Sequence, residues 1–226
     1  MNPIEQRLAE VRHRLRAAER RAGRPEGSAG LVAVGKTWGP DILAEAYRLG
    51  QRDFGENYLQ EALAKQDALK DLDIVWHFIG PIQSNKTRPL AERFDWVHGI
   101  DRLKIAQRLS EQRPQGLPPL NVCLQVNASG EASKSGAALA ELKPLAEAVA
   151  GLPRIRLRGL MAIPAPSKDF EEQRRAFRVL REALEGLGLE GMDTLSMGMS
   201  HDLEAAVLEG ATLVRVGTAI FGERGR

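Results

Sequence analysis

Short apolar segments alternate along the chain with longer segments whose apolar residues recur every three or four positions. The short segments are mostly apolar and rich in β-branched residues, which is typical of strands buried on both faces. Eight of them are predicted to be strands, at residues 31–34, 52–54, 74–78, 96–97, 120–126, 155–160, 194–195 and 213–216. The alternation of the two patterns indicates repeated strand–helix units around a parallel sheet.

The longer segments have the spacing of amphipathic helices, as Leu142 and Leu145 illustrate after the fifth strand. A further helix is predicted before the first strand, over residues 3–22. Asp41 and Asp101 occupy positions where helix N-caps are expected. Every predicted strand from the first to the seventh is therefore followed by a helical segment before the next strand begins.

Eight strand–helix units in 226 residues predict an α/β fold, specifically a (β/α)8 TIM barrel with an extra N-terminal helix. The competing interpretation is an open, doubly wound sheet. The count of eight favours the barrel, and so does the lack of a glycine-rich dinucleotide fingerprint. No linker or low-complexity tract is visible, so residues 1–226 are predicted to form a single domain.

Composition narrows the functional class. Hydrophobic residues make up 43% of the chain and charged residues 27%, and the net charge is only +2, so neither a nucleic-acid nor a membrane partner is expected. The single cysteine, Cys123, lies in an apolar segment and is predicted to be a buried core residue. No Cys/His cluster suggests a metal. The charged N-terminal segment lacks the apolar core of a signal peptide, and a cytoplasmic location is expected.

The segment from Gly30 to Thr37 matches the nucleotide phosphate loop G-x-x-x-x-G-K-[ST] letter for letter. In that loop the middle residues curl so that backbone N–H groups surround phosphates. Here the four middle residues, 31–34, are apolar and favour an extended strand. They therefore indicate a buried strand that delivers Lys36 to its C-terminal end, where barrels build their sites.

Lys36 has two interpretations at this stage. Partial burial at the barrel mouth would make its amine nucleophilic toward aldehydes, whereas a lysine that extends into solvent would have no such role. The segments after the last two strands, 196–202 and 215–222, each combine glycine with a hydroxyl residue. Barrels often bind phosphate between these two loops, and a helix beginning near Ser200 would add its N-terminal dipole. A lysine beside a phosphate cradle fits an aldehyde that carries a phosphate, and pyridoxal 5′-phosphate is such a molecule.

Motifs spread along nearly the whole chain support this interpretation. They lie at residues 31–37, 54–58, 76–81, 83–86, 159–164, 196–202 and 214–222. With these motifs in this order, the chain resembles the pyridoxal-phosphate homeostasis proteins, the single-domain relatives of the alanine racemase N-terminal barrel. The resemblance implies that Lys36 holds pyridoxal 5′-phosphate as a Schiff base. It also implies cofactor-binding roles for Asn57 near the ring, His77 and Ser196 at the mouth, Arg215 at the pyridine nitrogen, and Ser200, Gly217 and Thr218 at the phosphate.

The chain departs from the family pattern at two positions. Gly35 stands where the family usually has serine, and Trp38 stands where a lysine is common. The second departure puts in doubt any second lysine that receives the cofactor at this place. Lys134 is then the candidate for an accessory lysine, and its alternative is an ordinary solvated loop residue.

Structural alternatives exist for three of the matched residues. Asn57 is also suited to cap the helix after the second strand. His77 is equally compatible with a hydrogen-bonded residue in the barrel wall. Arg215 has a possible carboxylate partner in Glu56.

The expected chemistry follows from Arg215 and from the tyrosines. A charged guanidinium beside the pyridine nitrogen disfavours its protonation and so weakens carbanion chemistry. The second base of the related racemases is a tyrosine from another domain, whereas Tyr47 and Tyr58 both lie early in this chain.

We therefore predict a non-catalytic binder of pyridoxal 5′-phosphate that maintains vitamin B6 and amino and keto acid pools. A monomer is expected, and pyridoxal-phosphate-dependent apoenzymes are the expected recipients. The alternatives are an amino-acid racemase whose second base is His77 or a water, and a nucleotide binder.

Overall fold

The computed structural model describes residues 2–128 and 135–223, and Lys134 lies outside the described residues. Eight parallel strands form a closed barrel in which neighbours in the chain are neighbours in the sheet. The first strand closes the barrel against the last, with Leu31 opposite Val214. The strands are β1 Gly30–Val34, β2 Asp53–Glu56, β3 Val75–Phe78, β4 Trp96–Ile100, β5 Leu120–Gln125, β6 Ile155–Met161, β7 Thr194–Ser196 and β8 Leu213–Val216. The predicted (β/α)8 fold is confirmed.

Helices surround the barrel on its outer side and bury their apolar faces against the strands. They are α1 Pro3–Arg21, α2 Pro40–Arg48, α3 Leu59–Ala68, α4 Thr87–Arg93, α5 Leu103–Gln112, α6 Leu139–Ala150, α7 Phe170–Leu187, α8 Leu203–Leu208 and α9 Thr218–Phe221, with a 3-10 turn at Ser84–Lys86. The predicted extra helix is α1, and Asn2 caps it by accepting the N–H of Ile4 at 3.0 Å. It packs against α8 and α9, beside the last strand.

Both predicted N-caps are wrong. The N-cap of α2 is Gly39, because Pro40 presets the backbone of the first helical position and Asp41 then falls inside the first turn. The N-cap of α5 is Arg102. The Asp101 carboxylate accepts hydrogen bonds from the Arg102 side chain instead, at 2.8 and 3.0 Å.

The strand interpretation of the Gly30–Thr37 segment is confirmed. Residues Gly30–Val34 are extended and pair with both β2 and β8. Their apolar side chains are buried, which a phosphate-binding loop would not allow. The similarity to a nucleotide-binding loop is therefore limited to the amino-acid sequence and does not extend to the backbone conformation.

The core is tightly built around several close approaches. Cys123 is fully buried, as predicted, and burial raises the pKa of its thiol to about 12. A Cβ on Gly159 would lie 1.8 Å from the Thr194 carbonyl oxygen, so only glycine allows β6 and β7 to approach this closely.

Within the described ranges, no helix is long and apolar enough to cross a membrane, and no group of three or more His, Cys, Asp or Glu residues is arranged to hold a metal.

Candidate functional site

A cavity of about 670 Å³ opens where the C-terminal ends of β1, β2 and β8 meet the loop after β7. This is the end of a barrel where sites are usually built. The lining includes six of the eight residues that the sequence suggested, namely Lys36, Asn57, Ser200, Arg215, Gly217 and Thr218. Residues far apart in the chain therefore share one pocket.

Lys36 lies in a tight turn just beyond β1. The Trp38 N–H donates to the Gly35 carbonyl at 3.0 Å, and Thr37, the third residue of the turn, has a φ of +67°. This backbone conformation is normally reserved for glycine. The turn carries Lys36 past the strand end, where its side chain is exposed. Of the two interpretations of Lys36, the exposed side chain is the one observed, and its amine lies at the cavity with no hydrogen-bond partner among the described residues.

Two side chains from α3 hold this turn in place. The Glu61 carboxylate accepts the N–H of Thr37 at 3.0 Å. The Lys65 ammonium donates to the Gly35 carbonyl at 2.8 Å and to the Glu56 carboxylate at 2.7 Å. The backbone on both sides of Lys36 is thus fixed by charged groups.

Glu56 and Lys65 form this ion pair in the interior. Burial raises the pKa of Glu56 to about 7, although the ammonium of Lys65 opposes the shift. Oε2 of Glu56 is buried and has no hydrogen-bond partner among the described residues. The alternative in which Glu56 pairs with Arg215 is therefore wrong.

The loop after β7 and the start of α9 form the hydroxyl-rich side of the cavity. Ser200 Oγ accepts the N–H of Ala219 at 3.3 Å, which links the two segments. Gly198 has a φ of +93°, and a Cβ there would lie 2.6 Å from the Ala206 side chain, so glycine is required. The following helix, α8, begins at Leu203, so the expected helix start near Ser200 is wrong.

Arg215 is almost fully buried, and its guanidinium reaches the cavity from β8. It donates to Ser196 Oγ at 2.7 Å and to the Ala162 carbonyl at 3.0 Å. Desolvation lowers the pKa of Arg215 to about 10. The guanidinium consequently remains charged at neutral pH.

Asn57 also lies in the cavity lining, and the residue before α3 that occupies the cap position is Tyr58. Asn57 is therefore not the helix cap. Its Oδ1 is buried and has no hydrogen-bond partner in the part of the chain that the structure describes. Such an atom usually has a partner in the functional state, because leaving it unsatisfied costs about 1–3 kcal/mol.

His77 and Ser196 do not line the cavity, so their predicted position at the mouth is wrong. Both are completely buried inside the barrel. His77 stacks on Trp96 and bonds to Asp53 at 3.0 Å, as expected for a wall histidine. Ser196 reaches the cavity only through its hydrogen bond to Arg215.

Sequence reasoning missed several residues of the site. His98 is fully buried and bonds to Ser196, but the predicted fourth strand stopped at Val97. One more residue of alternation after Trp96 would have placed His98 on the same face of that strand. His201 also lines the cavity, and its side chain is exposed. The sequence analysis included His201 in the segment 196–202 but did not predict that it lies at the site.

Comparison with known proteins places this architecture among described families. Residues 6–225 match the model of the family described as alanine racemase, N-terminal domain. A pyridoxal phosphate homeostasis protein of Pseudomonas aeruginosa is 64% identical over 224 residues, covering 99% of this chain and 97% of that protein. One from Escherichia coli K12 is 54% identical over 229 residues, with coverages of 99% and 98%. The structure of PipY from Synechococcus elongatus with pyridoxal phosphate bound is 37% identical and superposes with a TM-score of 0.84, over 97% of this chain and all of that one.

Proposed function

Because the chain belongs to the pyridoxal phosphate homeostasis proteins, which have the alanine racemase N-terminal domain fold, we propose that it binds pyridoxal 5′-phosphate as a Schiff base on Lys36. The observation that carries this proposal is the shared cavity, which brings a free lysine amine, a charged guanidinium and a hydroxyl-rich loop together. The cofactor seen in the PipY structure has the chemistry that this set of groups suits.

The cavity fits the cofactor on three further grounds. The exposed Lys36 amine is the nucleophile that an aldehyde requires, and its flanking backbone is held by Glu61 and Lys65. Asn57 lines the cavity, and its Oδ1, which has no partner among the described residues, provides an acceptor for a ligand that can donate. A volume of about 670 Å³ lies within the usual range for small-molecule sites.

We assign roles to the cavity residues by their chemistry. Ser200 and Thr218 offer hydroxyl groups, and Gly217 offers a backbone N–H without a side chain in the way, to the phosphate. Arg215 presents a charged guanidinium to the pyridine nitrogen. When bound, the cofactor supplies an aldehyde that exchanges reversibly between amines.

The proposed role is to hold and buffer the cofactor in the cytoplasm rather than to catalyse a reaction. The fixed charge of Arg215 keeps the pyridine nitrogen unprotonated and so weakens carbanion chemistry. No tyrosine lines the cavity within the described part of the chain. Such a protein would stabilise vitamin B6 and amino and keto acid pools and deliver the cofactor to dependent apoenzymes. One barrel supplies all the residues assigned here to the cofactor, which supports a monomer and a single binding domain over residues 1–226.

The direct test is an absorbance spectrum. Purified protein is expected to be yellow, and Lys36→Ala is expected to lose the Schiff-base band. Lys168→Ala is a matched control, because Lys168 is exposed and lies outside the cavity lining. A colourless wild-type protein that pyridoxal 5′-phosphate cannot reconstitute would refute the proposal.

The racemase alternative now depends on a different residue. His77 is sealed inside the barrel, whereas His201 presents an exposed imidazole at the cavity. Incubation of the loaded protein with an amino acid in heavy water measures exchange at Cα. We expect no steady exchange; turnover that requires both Lys36 and His201 would establish an enzyme.

A further inference from the structure

A chain of five polar side chains crosses the inside of the barrel. His77 Nε2 lies 3.0 Å from an Asp53 carboxylate oxygen, and His77 Nδ1 lies 2.9 Å from His98 Nε2. His98 Nδ1 lies 2.7 Å from Ser196 Oγ, which accepts a hydrogen bond of 2.7 Å from Arg215. Five strands contribute one residue each, so the chain is a property of the whole barrel.

The two ends of this chain lie in different surroundings. Asp53 begins β2, at the N-terminal end of the barrel, and its side chain is 40% exposed. Arg215 lines the cavity at the opposite end. The three residues between them are completely buried. The chain therefore connects solvent at one end of the barrel with the proposed cofactor cavity at the other.

The identities of the groups give the chain a direction. An ionised Asp53 only accepts hydrogen bonds, so His77 donates through Nε2 and, when neutral, accepts at Nδ1. His98 must then donate from Nε2 and accept at Nδ1 the hydroxyl proton of Ser196. Because Arg215 only donates, Ser196 Oγ receives its N–H. Every proton in the chain then has an acceptor, and all donations run from Arg215 toward Asp53.

The surroundings of His98 favour a neutral ring. Burial, followed by the charges of His77 and Arg215, lowers the pKa of His98 well below its usual value. His77 faces Asp53 and His98 through its nitrogens and stacks on Trp96. The Trp96 ring also packs against the His98 ring and contacts the guanidinium of Arg158. A protonated His77 would instead reverse the His98 tautomer and leave the Ser196 hydroxyl proton without its acceptor.

We propose that His98 and His77 are positioning residues for cofactor binding, which aim and polarise Arg215 through a one-way hydrogen-bond chain that ends on Asp53. The part of this inference that concerns the cofactor rests on the proposed function. Aligned hydrogen bonds polarise one another in a low-dielectric interior, so the far carboxylate helps to offset the charge of the buried guanidinium. If apolar side chains replaced the hydrogen-bond chain, the Arg215 guanidinium would keep the Ala162 carbonyl as its one acceptor among the described residues.

The first test needs no cofactor. The protein has four histidines, so the ring nitrogens in a ¹⁵N NMR spectrum can be assigned by single substitutions. Both His77 and His98 are expected as neutral rings with the proton on Nε2. A proton on Nδ1 of His98, or a positively charged ring at either position at neutral pH, would overturn the proposed direction.

The second test measures the affinity for pyridoxal 5′-phosphate in matched variants. His98→Leu breaks the chain, whereas the amide of His98→Gln can donate and accept in the same places. We expect an affinity about tenfold weaker for leucine and within about threefold of wild type for glutamine. Val97→Ala is the control, because Val97 is a buried neighbour on the same strand that takes no part in the chain.

The outcomes separate the two proposals. Equal losses of affinity in His98→Leu and Val97→Ala, or an equal loss in the leucine and glutamine variants, would overturn a positioning role. If His98→Leu does not fold, Asp53→Leu at the half-exposed end serves instead and is expected to weaken binding about threefold. If the wild-type protein binds no pyridoxal 5′-phosphate, the proposed function fails and the positioning role fails with it, while the NMR spectrum alone decides the direction of the chain.

Discussion

Lys65 and Glu56 form a buried ion pair with 2.7 Å between ammonium and carboxylate, directly behind the strand end that carries Lys36. The same ammonium donates to the Gly35 carbonyl, so one interior charge holds β1, β2 and α3 together. Neither Lys65 nor Glu56 lines the proposed cofactor cavity. Their effect on that cavity is exerted through the backbone next to Lys36.

Glu56→Gln is expected to change the pH dependence of stability. Burial raises the pKa of Glu56 from 4.5 to about 7, so the folded protein holds this proton more tightly than the unfolded chain does. The stabilisation is complete below the unfolded pKa and is lost as pH rises through the folded one. The wild-type free energy of unfolding should therefore fall by about 3 kcal/mol relative to Glu56→Gln on going from acidic to slightly alkaline pH. Urea unfolding at several pH values measures this, with the exposed Glu26→Gln as control; parallel curves would contradict it.

Gly35→Ala is expected to destabilise the protein by about 1–3 kcal/mol, through overpacking. A Cβ at this position would lie 2.9 Å from both the Glu56 carboxylate and the Leu43 side chain. These contacts give a physical reason for glycine at this position. Gly116→Ala is the matched control, because a Cβ at this exposed loop position meets nothing within 4 Å. Equal stability of the two variants in urea unfolding would show that the pocket around Gly35 adapts without strain.

Thr37→Gly is expected to raise the free energy of unfolding by up to about 1 kcal/mol. Thr37 has a φ of +67°, which is unfavourable for any residue with a Cβ and open to glycine. The hydrogen bond to Glu61 uses the backbone N–H and is kept in the variant. Thr37→Ala retains the Cβ and should show no gain. Thermal or urea unfolding of the three proteins decides the matter, and a loss of stability with glycine would exclude stored strain.

Ser200→Ala is expected to weaken pyridoxal 5′-phosphate binding about tenfold or more, because the proposed hydrogen bond to a charged phosphate would be lost. Binding of pyridoxal, which has no phosphate, should be unchanged. Titration of both compounds separates loss of a phosphate contact from general damage to the cavity. Ser167→Ala provides the control, since Ser167 lies outside the cavity lining. Parallel losses for both compounds would remove Ser200 from the phosphate site.

The sequence was sufficient to predict the barrel because each strand is a separate apolar segment and each helix repeats its own period. It was less informative about element ends, which depend on local contacts. The fourth strand continues through Gly99, a residue that interrupts the apolar run, and this hid His98. Pro40 shifted the start of α2 away from Asp41.

The site was predicted only in part, because the sequence does not show how deep in the barrel each side chain lies. A period of two indicates which side chains point into a barrel, but the depth of each depends on how the strands are staggered around it. His77 and Ser196 therefore proved to lie inside the barrel rather than at the mouth. Lys36 is exposed because the turn after β1 carries it beyond the strand, and the positive φ of Thr37 that makes this turn leaves no mark in the residue type.

The pairing of β1 with β8 has a consequence for biosynthesis. Lys36 is translated long before Arg215, yet the two line one cavity. A growing chain on the ribosome can form strand–helix units in order, but it cannot close the barrel until β8 has emerged. Contacts of such long sequence separation are also the slowest to form. A nascent chain therefore carries the proposed cofactor lysine long before it has the arginine and the loops of the same cavity, and the proposed binding would become possible only once β8 has emerged.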